Sequence, residues 1–201
     1  MWQQGIFSRE RTAWIVLGLY TLFLYSTLSL AFDLYVSIYQ KLGRATVSTW
    51  MNLAFLVAGM AIVVWVRVAY RPSKFGYAVL LATAVVVAVC LLKLTVPAKR
   101  FHFFEYAPLA LLAFEALRFH LTSRPLFVST IALVGLIGLG DEMIQASLPD
   151  RHFGLLDLGV NLTAGMLAIL FVAFVVGREH YPWGRLRRPP RSAPGGLRPR
   201  D

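Results

Sequence analysis

A membrane-embedded bundle of α-helices is the fold class this sequence predicts, and three observations predict it. Of its 201 residues, 58% are hydrophobic and only 15% charged, against about a quarter charged in soluble domains. Mean hydropathy is +0.64. The apolar residues come in runs of about 20, apolar on every side, which suits a lipid-facing helix and not a soluble one with a polar outer face. A polytopic all-α bundle with about six transmembrane helices follows.

Residues 1–12 are short and polar, with Arg9 and Arg11, and read as a cytoplasmic N-terminal segment. The first run, 13–32, is longer than a signal-peptide core and lacks a small-residue cleavage site after it, so it reads as a retained span. Residues 33–48, with Asp33, Lys41 and Arg44, read as a loop. The second run, 49–69, ends at Arg67, Arg71, Pro72 and Lys74. The third, 76–95, contains the single cysteine, Cys90, which excludes an intramolecular disulfide and reads as an inert buried thiol. Pro97, Ala98, Lys99 and Arg100 form a turn before the fourth run, 101–118. Thr122, Ser123, Arg124 and Pro125 precede the fifth, 126–147. The sixth spans 155–177. The membrane domain is therefore 13–177, and 178–201 is a basic Arg/Pro-rich tail that cannot build a core and is expected to be disordered.

The net charge of +10 would suggest nucleic acid in a soluble chain. Here the excess lies in loops and tail, so it reads as orientation. Arg9, Arg11, Arg67, Arg71, Lys74, Arg118, Arg124 and the tail arginines fall on one side. Lys41, Arg44, Lys93, Lys99, Arg100 and Arg151 fall on the other. A multi-pass protein of the bacterial cytoplasmic membrane with both termini cytoplasmic is expected. Membrane lipids are its expected partners, and nucleic acid is not one; attraction of the tail to anionic lipid fits better.

Polar chemistry concentrates where three runs should meet the outer face. His102, Glu105 and Tyr106 share one helix face at i, i+3, i+4 spacing. Asp141, Glu142 and Gln145 end the fifth run. Asp157 and Asn161, again i and i+4, start the sixth, and Arg151 and His152 lie in the loop between. Ionisable groups inside membrane runs are costly and usually serve a function. Each has a plainer reading: Tyr106, Lys99, Arg100 and His152 as headgroup anchors, Asp33 and Glu115 likewise, and Asp157 with Asn161 as an interhelical clamp. Gly135, Gly138, Gly140, Gly159 and Gly165 read as close-packing positions. Arg151, with Lys99 or Arg100, is expected to offset the acids.

The series H-F-x-E-Y, D-E-x-x-Q, P-x-R and D-x-x-x-N, followed by Gly165, resembles the VanZ-like family of bacterial membrane proteins over residues 97–170. Carried over, the family's polar signature falls on His102, Tyr106, Asp141, Glu142, Gln145, Arg151, Asp157 and Asn161, with Glu105 matching an E-Y variant. Ala98 stands where many members have an acid. The resemblance implies a role at the bacterial surface affecting glycopeptide susceptibility, notably to teicoplanin.

From the residue types, His102, Glu105, Asp141 and Glu142 are candidate acid–base groups, with Asp141 or Glu142 as base and His102 as proton partner. Tyr106, Gln145, Arg151, Asp157 and Asn161 are candidate binding groups, Arg151 suiting a phosphate or carboxylate. Three functions stay open. One is an enzyme acting on an envelope lipid or lipid-linked precursor. Another is a divalent-cation-dependent enzyme, its ion held by Glu105, Asp141, Glu142, Asp157 and His102. The third is a non-enzymatic accessory protein that binds an envelope precursor or glycopeptide-related ligand. A nucleophile elbow, an HExxH zinc motif and a phosphate loop are all missing from the sequence.

Overall fold

The computed structural model describes residues 2–148 and 151–176, with side chains from residue 9 onward. The expected disordered tail, 178–201, lies outside the described residues. The described residues are all helical in architecture: α1 Trp2–Ala69, α2 Lys74–Lys93, α3 Phe101–Leu117, α4 Ser123–Ala146 and α5 Leu155–Leu170. A 3-10 turn, Pro97–Arg100, leads into α3, and α5 runs on into a π-helical turn, Phe171–Val176.

Four of these helices are long and apolar enough to cross a membrane: those at Arg9–Ala69, Lys74–Lys93, Ser123–Ala146 and Leu155–Val176. The expectation of six separate spanning helices is therefore corrected, for two physical reasons. Residues 33–48, read as a loop from their charges, are helical. Only Gly43 leaves helical geometry, at φ 76°, ψ 162°, a region open to glycine alone. The first two expected runs thus form one continuous helical segment of two helices that meet at the Gly43 kink, with no loop between them. The fourth run becomes α3, whose 17 residues rise only about 26 Å, short of a hydrocarbon core of about 30 Å.

The kink folds α1 along α3. Before it, Tyr20 Oη donates to Glu105 O (3.0 Å) and Tyr25 Oη to Ile137 O (2.7 Å). After it, Phe55 packs on Phe103 and Phe104, with ring centroids 6.2 and 4.2 Å apart. Arg100 ties this corner together. Its guanidinium donates to Leu94 O (3.0 and 3.2 Å), Ser48 Oγ (2.8 Å) and Asn52 Oδ1 (2.9 Å).

The core lies between α3, α4 and α5. Leu109, Ala110, Ala113, Phe114 and Ala116 of α3, Val134 of α4 and Ala164 and Ile169 of α5 are buried. Small residues let these backbones approach, as expected where lipid gives no hydrophobic push between helices. A Cβ on Gly165 would stand 3.0 Å from Val134 Cγ1 and 3.6 Å from Ala110 Cβ. Outward faces are apolar and bare: Leu92 is 82% and Val68 73% exposed, a surface that suits acyl chains and not water. Cys90 is partly buried against the core.

At the far end, Phe75 of α2 meets Phe174 of the π turn edge to face at 5.6 Å. Arg67, Arg71, Pro72 and Tyr77 line a cavity of about 400 Å³ there. Phe174 lies 17 residues beyond Asp157, about 26 Å along the α5 axis. The basic corner and the acidic start of α5 thus stand at opposite ends of the bundle.

Candidate functional site

The polar groups named from sequence come from the start of α3, the end of α4 and the start of α5. The turn at Pro97 aims α3 so that His102 and Tyr106, one turn apart, face inward; both are buried, Tyr106 to 1% exposure. On α4 the adjacent pair Asp141 and Glu142 is buried, with Gln145 one turn further on. Close approach here depends on Gly138. A Cβ at that position would stand 3.3 Å from Asn161 Nδ2, 3.3 Å from Tyr106 Cε1 and 3.4 Å from Leu158 Cδ1.

Two separate arrangements result. In the first, Tyr106 Oη donates to Asp141 Oδ2 (2.8 Å) and Gln145 Nε2 to Asp141 Oδ1 (2.9 Å). Arg151 donates to Gln145 Oε1, and its guanidinium lies 4.4 Å from the Phe32 ring centroid. Both oxygens of Asp141 are engaged, so this is a closed strut between α3 and α4.

The second arrangement is open. His102, Glu142 and Asp157, one from each helix, bring one ligand-capable atom apiece within 4.8 Å of one another. Glu142 Oε2 accepts from Gly154 N (2.8 Å), which fixes the chain entering α5. Its other oxygen, Oε1, is buried without a hydrogen-bond partner among the described residues, as is His102 Nδ1. That nitrogen lies 3.5 Å from Glu105 Oε2 but does not hydrogen-bond to it. Asn161, one turn along α5, is fully buried with neither amide atom partnered among the described residues. Buried polar atoms left this way are rare and call for a ligand, water or ion.

Several sequence readings change in detail. Tyr106 is no headgroup anchor but a buried donor to Asp141. Asp157 and Asn161 form no clamp; Asp157 instead pairs with Lys99, whose Nζ lies 2.8 and 3.0 Å from its two oxygens. Arg151, expected to offset the acids, reaches the amide oxygen of Gln145. Arg100 binds the α1–α2 side. Glu105 is half-buried at the edge, its carboxyl toward His102 and its backbone toward Tyr20. Glu115 pairs with Arg118 on α3, away from the site, and His152 is exposed.

Of the cations expected to offset the acids, Lys99 does so, at Asp157; Gly154 is the participant that spacing alone missed. Its only signal was its place as the last residue before α5. Phe101, Met143, Phe153 and Leu155, close in sequence to the site residues, are exposed apolar side chains. Comparison with protein-family models, with curated proteins and with solved structures finds no match to this chain.

Proposed function

We propose that this is a VanZ-like protein of the bacterial cytoplasmic membrane whose polar site, at the outer face, binds and acts on an envelope lipid or lipid-linked precursor and so alters susceptibility to teicoplanin-type glycopeptides. The observation that carries this reading is the convergence of His102, Glu142 and Asp157 from three helices with buried atoms left unpartnered. Holding such groups in an apolar bundle costs several kcal/mol each, by rough measure, unless a partner compensates. The exposed apolar side chains next to these residues suit a ligand with acyl chains, and the charged groups suit its headgroup.

Within that reading the two acids divide the work. Glu142, with a spare oxygen, and His102 are the groups that face the ligand. Asp141 is saturated by Tyr106 and Gln145 and holds α3 against α4. Arg151, through its remaining N–H groups, and Asn161 position the ligand. The basic corner at Arg67 and Arg71 stands at the other end of the bundle, which supports a cytoplasmic placement for that end and an outward one for the acids.

Two measurements test this. In a susceptible bacterial host, the wild-type chain should raise the inhibitory concentration of teicoplanin, and Glu142→Gln at equal membrane level should not. Equal protection by both would sink the assignment to Glu142. In a Cys90→Ala background, His152→Cys should react with a membrane-impermeant maleimide on intact cells. Reaction only after lysis would put the site on the cytosolic side.

A further inference from the structure

We infer that His102, Glu142 and Asp157 form a binding site for a divalent transition-metal ion of the Zn²⁺ or Mn²⁺ type, and that the ammonium of Lys99 holds the site in the ion's place and leaves when the ion binds. In this we rest on the reading above that the three helix ends form one site, and we name the cofactor it takes.

The donor set is the first ground. One imidazole and two carboxylates suit Zn²⁺ and Mn²⁺ and leave positions for water or a phosphate oxygen. The spacing is the second. Ligands around a tetrahedral ion at ~2.1 Å stand about 3.4 Å apart, and the three donor atoms here lie within 4.8 Å of one another. A contraction of at most about 1.4 Å between the widest pair closes the site, by rotation of the carboxylates and the imidazole. Third and independent of the cluster itself, Glu142 is fully buried and His102 is 9% exposed, and each carries a lone-pair atom with no hydrogen-bond partner among the described residues.

Lys99 supplies the fourth ground. Its ammonium already bridges both oxygens of Asp157, so this corner of the bundle is built to hold positive charge. It comes from the 3-10 turn rather than from a packed helix, and its side chain is 28% exposed against 15% for Asp157. Lys99 can therefore swing outward into the aqueous boundary without disturbing α3. Glu105, its Oε2 3.5 Å from His102 Nδ1, places a further carboxylate oxygen beside the site.

The test is equilibrium binding of Zn²⁺ and of Mn²⁺, each alone, to the purified full-length protein in lipid nanodiscs, read by elemental analysis and, for Mn²⁺, by electron paramagnetic resonance. About one ion per chain is expected, Zn²⁺ tighter than Mn²⁺. Glu142→Gln, Asp157→Asn and His102→Ala should each weaken binding about tenfold or more. Glu115→Gln, an acid outside the cluster, should leave it unchanged. Lys99→Met removes the competing charge and should strengthen binding several-fold. No saturable binding to the wild type, or ligand variants that bind as well as wild type, overturns the site; weaker binding by Lys99→Met overturns the exchange. Should the wild type bind no ion while Glu142→Gln still abolishes glycopeptide protection, the metal fails and the envelope reading survives. Binding that depends on all three ligands, with no effect on susceptibility, supports the metal and sinks only the envelope reading.

Discussion

Tyr106→Phe removes one oxygen from the middle of the bundle and nothing else, because the ring keeps its place. The lost group is the donor to Asp141 Oδ2 at 2.8 Å, between residues 1% and 3% exposed. In a soluble protein a hydrogen bond to a charged group contributes about 1.5–3 kcal/mol. In membrane proteins interhelical hydrogen bonds average ~0.6 and reach ~1.7 kcal/mol, because the unfolded helices also find partners. The upper end applies here, since Asp141 has one other side-chain donor, Gln145, among the described residues. A loss of about 1.5 kcal/mol is expected, roughly tenfold in the unfolding equilibrium. Reversible unfolding in mixed micelles of rising SDS content, followed by far-UV circular dichroism, measures it. A double-mutant cycle with Asp141→Ala isolates the pair from the loss of the Gln145 contact. A coupling below about 0.3 kcal/mol, within the error of simple additivity, would refute the strut between α3 and α4.

Gly138→Ala should cost about 1–3 kcal/mol by overpacking, since its methyl meets side chains of both α3 and α5 at 3.3–3.4 Å; unchanged micelle stability would show that the three helices do not close at that point. Gly43→Ala should cost about 1–3 kcal/mol because the kink lies in backbone space that alanine avoids. The same substitution at Gly59, where an added Cβ meets nothing within 4 Å, should stabilise α1 slightly. Arg100→Met should destabilise by about 2–3 kcal/mol, leaving Leu94 O, Ser48 and Asn52 without their donor, and limited proteolysis should then cut earliest near Thr95.

Helix limits were largely legible because apolar runs set them. The expected runs at 76–95, 126–147 and 155–177 agree with Lys74–Lys93, Ser123–Ala146 and Leu155–Val176 to within a few residues. Residues 33–48 failed for a reason of the same kind. Charge was taken as a loop signal, yet the stretch has no proline and one glycine, so a helix persists through it with a single break. Side chains at i, i+3 and i+4 on one helix also came out together, as Tyr106 with His102 and Gln145 with Asp141. Pairings between helices were not legible. Whether Lys99 or Arg151 reaches Asp157 depends on the turn at Pro97 and on helix crossings, and long side chains span several residues' worth of error. Arg100, next to Lys99, points the other way because a 3-10 turn places successive residues about 120° apart.

Adjacent acids on one helix need not share a role, and Asp141 with Glu142 shows why. Successive residues on an α-helix point about 100° apart, so one faces α3 and the other faces the start of α5. Asp141 meets a tyrosine hydroxyl and an amide, two donors for two oxygens, and has little left to offer a ligand. Glu142 meets one backbone N–H, that of Gly154, and keeps an oxygen in reserve. A Cβ at position 154 would stand 2.5 Å from Asp157 Oδ2 and 3.3 Å from Glu142 Oε2, so the bare glycine lets both carboxylates lie against the start of α5. The sequence D-E therefore encodes a fastening and an unpartnered carboxylate oxygen side by side, the one fixing α4 against α3 and the other turned toward the start of α5.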